Sequence, residues 1–393
     1  MKLCLMMLVM AAGMVLAAAD QMFYVAPQAA GNGSGSDPAN AAAIRNNAFW
    51  NSVNTALEES PVTVSLLEGN YQVDYPGKNG PIRISNLGNE KNRLTIAGKG
   101  KKTVFFRNPE DDRSTANSKN FVNLVTLFYC KNITFQDLYF TGEGIVGYGL
   151  QIRASKDILV RNSRWEKMPG VSYGASGANG RGVSSTEPAN CANITWENCY
   201  FNTVGYDSHA HMLYNANNCN NLVIRNCDFI DSTGDYIRFR NGGENILVEN
   251  CRFLDTGTAP AKAYPFISVP IFNSRPDQNE VYAKKLTVRN CDFRYTKPQP
   301  RSVVILYHIT GLNTEGKEYV FTKAESKAMS AMNFNDGRAF YLKRTGVDLA
   351  DIVYENNKTK NVKDIMVHEC WPRDKNKKPL PATVTSLTKF MNR

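Results

Sequence analysis

The sequence predicts an all-β solenoid, a coil of stacked parallel strands with long loops. Three observations predict it. A nine-residue phrase occurs seven times: NITFQDLYF at Asn132, DILVRNSRW at Asp157, NITWENCYF at Asn193, NLVIRNCDF at Asn221, NILVENCRF at Asn245, KLTVRNCDF at Lys285 and DIVYENNKT at Asp351. The starts lie 25, 36, 28, 24, 40 and 66 residues apart. A constant unit with elastic spacing marks strand-and-turn repeats joined by variable loops. Within the phrase, Ile194 and Trp196 alternate with Thr195 and Glu197. That is the period of a strand with one buried face, not the helical period of about 3.6 residues.

The third observation is columnar. Asn recurs at 162, 198, 226, 250, 290 and 356, and Cys follows it at 199, 227, 251 and 291. The closing position is aromatic at Phe140, Trp165, Phe201, Phe229, Phe253 and Phe293. Stacked at about 4.8 Å per rung, these become an Asn turn ladder, a thiol column and an aromatic column. The residue before each ladder Asn runs Arg161, Glu197, Arg225, Glu249, Arg289, Glu355. Stacking in register sets each charge beside its opposite, and a slipped register loses this. These six charges are therefore assigned to the scaffold.

The elements follow in order. Met1-Lys2, an apolar run from Leu3 to Leu16 and Ala17-Ala18-Ala19 read as a secretory signal peptide cleaved after Ala19. The run is short for a membrane span and no later segment qualifies. The protein is expected to be secreted or periplasmic. Residues 20–130 read as an N-terminal cap and first coils. They hold a strand at Phe23–Pro27, a flexible stretch at Gly31–Asp37, and a helix within Ala41–Glu59 with Trp50, Val53 and Leu57 on one face. That helix is expected to cover the open end of the coil, where an unpaired rung is a sticky edge. Strands follow at 62–71 and 93–107. The regular coil occupies about 131–370. Insertions at 166–192, 254–284 and 298–350 are read as leaving the coil, the last with a helix near Lys323–Met332. A basic tail, 371–393, is expected to wrap back.

Once Cys4 leaves with the signal peptide, eight cysteines remain. An exported chain invites disulfides. Phase favours packed reduced thiols instead, with Cys130, Cys191 and Cys219 forming a second column. No cysteine has metal-ligand spacing with His. The net charge of +10 and pI of about 9.0 suit an acidic partner. In an exported chain that is an acidic polysaccharide rather than nucleic acid. Asn132 and Asn193 sit in glycosylation sequons but read as turn residues.

The FYVAP opening, the helix after it, VTVSLLEGNYQV and the N-I-x-V-x-N-C-x-F rungs resemble right-handed parallel β-helix proteins of the pectate-lyase-like type. The resemblance spans roughly 23–370. It implies a secreted, carbohydrate-active or carbohydrate-binding protein, expected to be a monomer. No cofactor is assigned, with calcium the one metal kept in view, although the acidic calcium cluster of pectate lyases is not evident.

The densest group of unusual residues lies on two consecutive rungs, YDSHAHMLY at 206–214 and GDYIRFRN at 234–241. With Ile237 and Phe239 inward, Tyr236, Arg238 and Arg240 are expected to point out. Tyr214 falls beside Arg238 or Arg240. His209 and His211 are expected in the turn entering the strand. Uronate elimination needs a cation for the carboxylate, a base for the C5 proton and an acid for the leaving O4. Arginine suits the first, His or Tyr the others. His209, His211, Tyr214, Arg238 and Arg240 are the catalytic candidates. Lys167, Arg181, Tyr236 and Asp235 are the substrate-binding ones, with Glu166 beside them. G-D-Y-I-R-F-R-N-G-G-E-N is similar to the arginine-bearing rung of the alginate lyase and chondroitinase B family, which implies Arg240 as the catalytic arginine. Where that family has a lysine on the preceding rung, this chain has Tyr214 or Asn215. Three functions stay open: a lyase or epimerase, a hydrolase using a carboxylate pair among Asp207, Asp231, Asp235 and Asp255, and a non-catalytic glycan binder.

Overall fold

The computed structural model describes residues 20–74, 80–107, 122–142, 146–169, 171–180, 190–205, 209–258, 265–273, 279–298, 303–312, 321–374, 376 and 378–391. The expected signal peptide, Met1–Ala19, lies outside the described residues, as do Arg181 and Asp207.

The chain is a right-handed parallel β-helix. Among the described residues, three sheets of 11, 9 and 10 strands run its length, with sequence-successive rungs as neighbours within each sheet. Each phrase spans two sheets. Its first half is a strand of the first sheet, the Asn is the corner, and its aromatic end is a strand of the second. The corner asparagines 162, 198, 226, 250, 290 and 356 have φ between 51° and 55°. Asn tolerates this left-handed conformation better than most residues.

The first position of the phrase is a second left-handed column, of which the sequence reading singled out only Asn132 and Asn193 as turn residues. Here side chains bond rung to rung: Asn193 Nδ2 donates to Asp157 Oδ1 at 2.7 Å, Asn221 to Asn193 at 2.9 Å, and Asn245 to Asn221 at 3.0 Å.

The predicted register holds. Arg161 pairs with Glu197, Glu197 with Arg225, Arg225 with Glu249, Glu249 with Arg289 and Arg289 with Glu355. Arg225 bonds Glu197 and Arg289 bonds Glu249, both at 2.7 Å. The aromatic column is longer than expected. Tyr71, Phe105, Phe140, Trp165, Phe201, Phe229, Phe253 and Phe293 stack with centroids 4.6–5.1 Å apart. All eight described cysteines are buried and unbridged.

The helix Asn47–Glu59 forms, capped by the Asn46 side chain, and buries Phe49, Trp50, Val53 and Leu57 in the core. A helix at Lys323–Ala331 matches the expected one. A second, Phe334–Thr345, was not read from the sequence. Its Gly337 disguises it: an added Cβ would meet the Phe390 ring at 2.1 Å, so close packing requires glycine there.

The third sheet corrects the reading of the insertions. Val171–Asn179, Ile267–Asn273 and Val303–Leu312 do not leave the coil but are its third-sheet strands. They lack the phrase, so periodicity did not find them. The tail returns as Thr383–Ser386, antiparallel to Val367–Cys370, and pairs the last edge of this sheet.

Candidate active site on the third sheet

The outward face of the third sheet carries the candidate site. Tyr214 stands opposite Arg238, and Ala216 opposite Arg240. Ile237 and Phe239 are in the core, as alternation requires. The register resolves the two-residue ambiguity in favour of the Tyr214–Arg238 pair, while Asn215 points inward and is buried.

Glycine on the preceding strand makes room for Tyr214. At Gly177 an added Cβ would lie 2.0 Å from the Tyr214 carbonyl oxygen, and at Gly174 it would lie 3.1 Å from the Tyr214 Cβ. The small-residue run Val171–Asn179 is therefore the seat of Tyr214.

A cleft of about 370 Å³ opens here, lined by Tyr148, Gln151, Arg153, Tyr173, Tyr214 and Arg240 among others. Three tyrosines wall it, with ring centroids 6.1 Å (Tyr148–Tyr173), 6.2 Å (Tyr148–Tyr214) and 6.3 Å (Tyr173–Tyr214) apart. The Tyr148 hydroxyl donates to Asn179 Oδ1 at 3.0 Å. Burial, then the neighbouring Tyr214, holds the Tyr148 phenol well above its ordinary pKa, so it stays protonated.

Arg240 Nη1 donates to the Tyr214 hydroxyl at 3.2 Å. On its other side Arg240 is forked onto Glu280, whose carboxylate also accepts the Phe272 N–H at 2.8 Å. Burial alone would lower the Arg240 pKa, but the Glu280 bond and then Tyr214 more than offset it and hold it raised. The guanidinium lies 4.5 Å over the Phe272 ring.

Arg238 is anchored separately. Its Nε donates to Asp235 at 2.7 Å and to Ser268 Oγ at 3.3 Å, and Ser268 also bonds Asp235. His211 stacks on Tyr214 with centroids 5.3 Å apart, and its Nδ1 lies 3.7 Å from Asp235. Burial, then Arg238, pushes the imidazole well below its ordinary pKa. It is therefore neutral, and the contact with Asp235 is no ion pair.

Several expected residues sit elsewhere. His211 is the first residue of the strand, buried, while His209 lies in the exposed turn before it. Tyr236 is corrected from outward to core. It precedes the strand, where alternation does not apply, and its ring packs 5.0 Å from Phe266 while its hydroxyl donates to the Leu254 carbonyl. Asp235 is likewise buried, as the anchor of Arg238 and not an open contact. Lys167 and Glu166 lie on Arg164–Met168 of the second sheet, apart from the cleft lining. Glu166 is bound there by Lys101 at 3.1 Å and by Arg164. Asp231, on the second-sheet strand Asp228–Ser232, is bonded by Thr256 and Thr258, and Asp255 accepts from Gly257. The sequence reading missed Tyr148, Tyr173, Gln151, Arg153 and Glu280, all outside the phrase.

Among the described residues, no three His, Cys, Asp or Glu side chains gather as metal ligands. Among them also, no helix is long and apolar enough to cross a membrane.

No family model matches the chain, and no curated protein matches it. Solved structures do resemble it. An alginate lyase from Paenibacillus sp. str. FPU-7 shares 14% identity, covering 66% of this chain and 91% of that one, with a TM-score of 0.44. Pectate lyase Pel9A shares 12% over 75% and 70%, with a TM-score of 0.46. PfbA, a surface adhesin of Streptococcus pneumoniae, shares 11% over 86% and 95%, with a TM-score of 0.45. At such identities the likeness does not reach the chemistry of the site.

Proposed function

We propose that this chain is an exported enzyme that cleaves an acidic, uronate-containing polysaccharide by β-elimination. The observation that carries the reading is the Tyr214 hydroxyl held at 3.2 Å by Arg240 in a cleft walled by tyrosines. Aromatic walls with a few convergent polar groups suit a pyranose chain. Arg240 and the exposed Arg153 meet the uronate carboxylate, and neutralising it acidifies the C5 proton. The Tyr214 oxygen, within hydrogen-bond reach of Arg240 Nη1, acts as the base that takes that proton. The C5–H electrons form the C4–C5 double bond, the C4–O4 bond breaks, and Tyr214 returns the proton to O4. Neutral His211, stacked against the ring, positions Tyr214. Epimerisation shares the first step and differs in returning the proton to C5 from the opposite face.

A hydrolase needs two carboxylates across the scissile bond. Among the described residues, the carboxylates beside the cleft, Asp235 and Glu280, are each bound to an arginine, which argues against that reading. The test is incubation with alginate, pectate, chondroitin and a neutral glucan. The expected result is an unsaturated product absorbing in the ultraviolet from a uronate polymer. New reducing ends without that absorbance would indicate hydrolysis, and retention without product would indicate a binding protein.

A further inference from the structure

We infer that the exposed face of Trp371 is a second sugar platform, a stacking subsite for a pyranose ring of the same glycan that occupies the Tyr214 cleft. The inference rests on the glycan-binding part of the proposed function and not on its elimination step.

Of the four tryptophans, Trp50, Trp165 and Trp196 are buried, whereas Trp371 is 44% exposed. Trp371 is not a loose surface ring. It stacks on His308 with centroids 5.1 Å apart and planes 18° from parallel. His308 is 4% exposed, and both its ring nitrogens are buried without a hydrogen-bond partner. Burying an imidazole so costs free energy, yet here it backs an open indole. Burial, then Arg238, holds His308 at a pKa of about 3, so the backing ring is neutral.

The platform is continuous with the cleft. Phe272 lies edge-on to His308 at 5.6 Å, Arg240 covers Phe272 at 4.5 Å, and Arg240 reaches Tyr214 at 3.2 Å. Phe272, Thr310 and Trp371 stand in one register column across adjacent strands. Four strand spacings separate the Tyr214 rung from the Trp371 rung, about 19 Å along the coil axis. One flat ring on a narrow track is too small for a protein interface, which buries about 800 Å² per partner. It fits the apolar C–H face of a sugar in an extended chain.

The location of the tryptophans makes the test direct. Titration of the whole protein with alginate, with polygalacturonate and with their trisaccharides, read by tryptophan fluorescence, reports on Trp371. The polymers are expected to shift the emission and the trisaccharides to leave it unchanged, because they cannot span from the cleft. Trp371→Ala should weaken polymer affinity by about 3- to 10-fold, within the range of one aromatic contact. Trisaccharide turnover, measured well below the thermal midpoint because removing the indole uncovers His308, should stay at the wild-type level, and Trp371→Phe should recover most of the loss. A saturable fluorescence response without any unsaturated product would support the subsite and sink the elimination. Turnover of a polymer with unchanged emission, or equal polymer affinity in wild type and Trp371→Ala, would overturn the subsite. So would the absence of any response to these glycans.

Discussion

Tyr214 stands opposite Arg238 across neighbouring strands, yet its hydroxyl accepts from Arg240 at 3.2 Å, one column along. Arg238 is held by Asp235 and Ser268 beneath the ring, while Arg240 is drawn to the phenol by Glu280 behind it. The two arginines of one short strand therefore have different roles. One fixes the rung, and the other faces the cleft.

Tyr214→Phe removes the oxygen and leaves the ring stack with His211 intact. If Tyr214 moves the C5 proton, kcat should fall by about 10²- to 10⁴-fold, with KM within about 3-fold of wild type. Steady-state rates of ultraviolet-absorbing product on the best uronate polymer check this. A kcat within a few-fold of wild type would remove Tyr214 from the mechanism.

Glu280 reaches the site from outside the strand register. Glu280→Gln keeps its shape but leaves Arg240 without a carboxylate in a mostly buried position. Loss of a buried pair costs about 3–5 kcal/mol at full burial, and about 2 kcal/mol is expected here because Arg240 is 29% exposed. The thermal midpoint should fall, and activity should fall at least 10-fold even well below that midpoint. Unchanged activity in a folded variant would mean that Arg240 needs no positioning.

The scaffold was legible in the sequence because strand stacking turns each physical demand into a column. A left-handed corner wants Asn, an inward corner position accepts a thiol, and an exposed column favours alternating charge. Those demands recur at every rung and so become visible as repetition. The third sheet, which carries the candidate site, does not repeat. Gly177 is glycine because Tyr214 lies against it, and Glu280 is acidic because Arg240 needs a partner; each happens once, so no periodicity marks it. The reading singled out Tyr214 and the arginines by their unusual composition, and the register brings them together on one sheet. It misplaced Tyr236 because strand alternation was extended into a bend. It missed Tyr148 and Tyr173, which look like ordinary aromatics until three strands bring them around one space.

The charge column makes a register-specific prediction. Glu197→Arg would place three arginines side by side at Arg161, position 197 and Arg225. A half-exposed like-charge pair costs up to about 1 kcal/mol, so a loss of about 1–2 kcal/mol is expected in urea unfolding at low salt. High salt should shrink the deficit by screening. A deficit that ignores salt would mean that packing, not charge, governs the column.

Buried neutral histidines set the acid side of the stability profile. Burial holds His368 at a pKa of about 3, and burial with Arg238 does the same for His308, against an ordinary value of 6.5. His211 is displaced in the same direction. In each case the unfolded chain takes up the proton first. Their contribution to stability is complete above about pH 6.5 and is lost as pH falls from there towards about 3. His308 and His368 should each cost about 2 kcal/mol by pH 5, from 1.36 kcal/mol per unit. Urea midpoints should thus be flat above neutrality and drop steadily below pH 6.5. His308→Phe keeps a ring under Trp371 but removes one titrating group. Its slope between pH 6 and pH 4 should be shallower by about 1.4 kcal/mol per pH unit than that of wild type. An equal slope would show that His308 is charged in the folded protein, contrary to its burial between two aromatic rings.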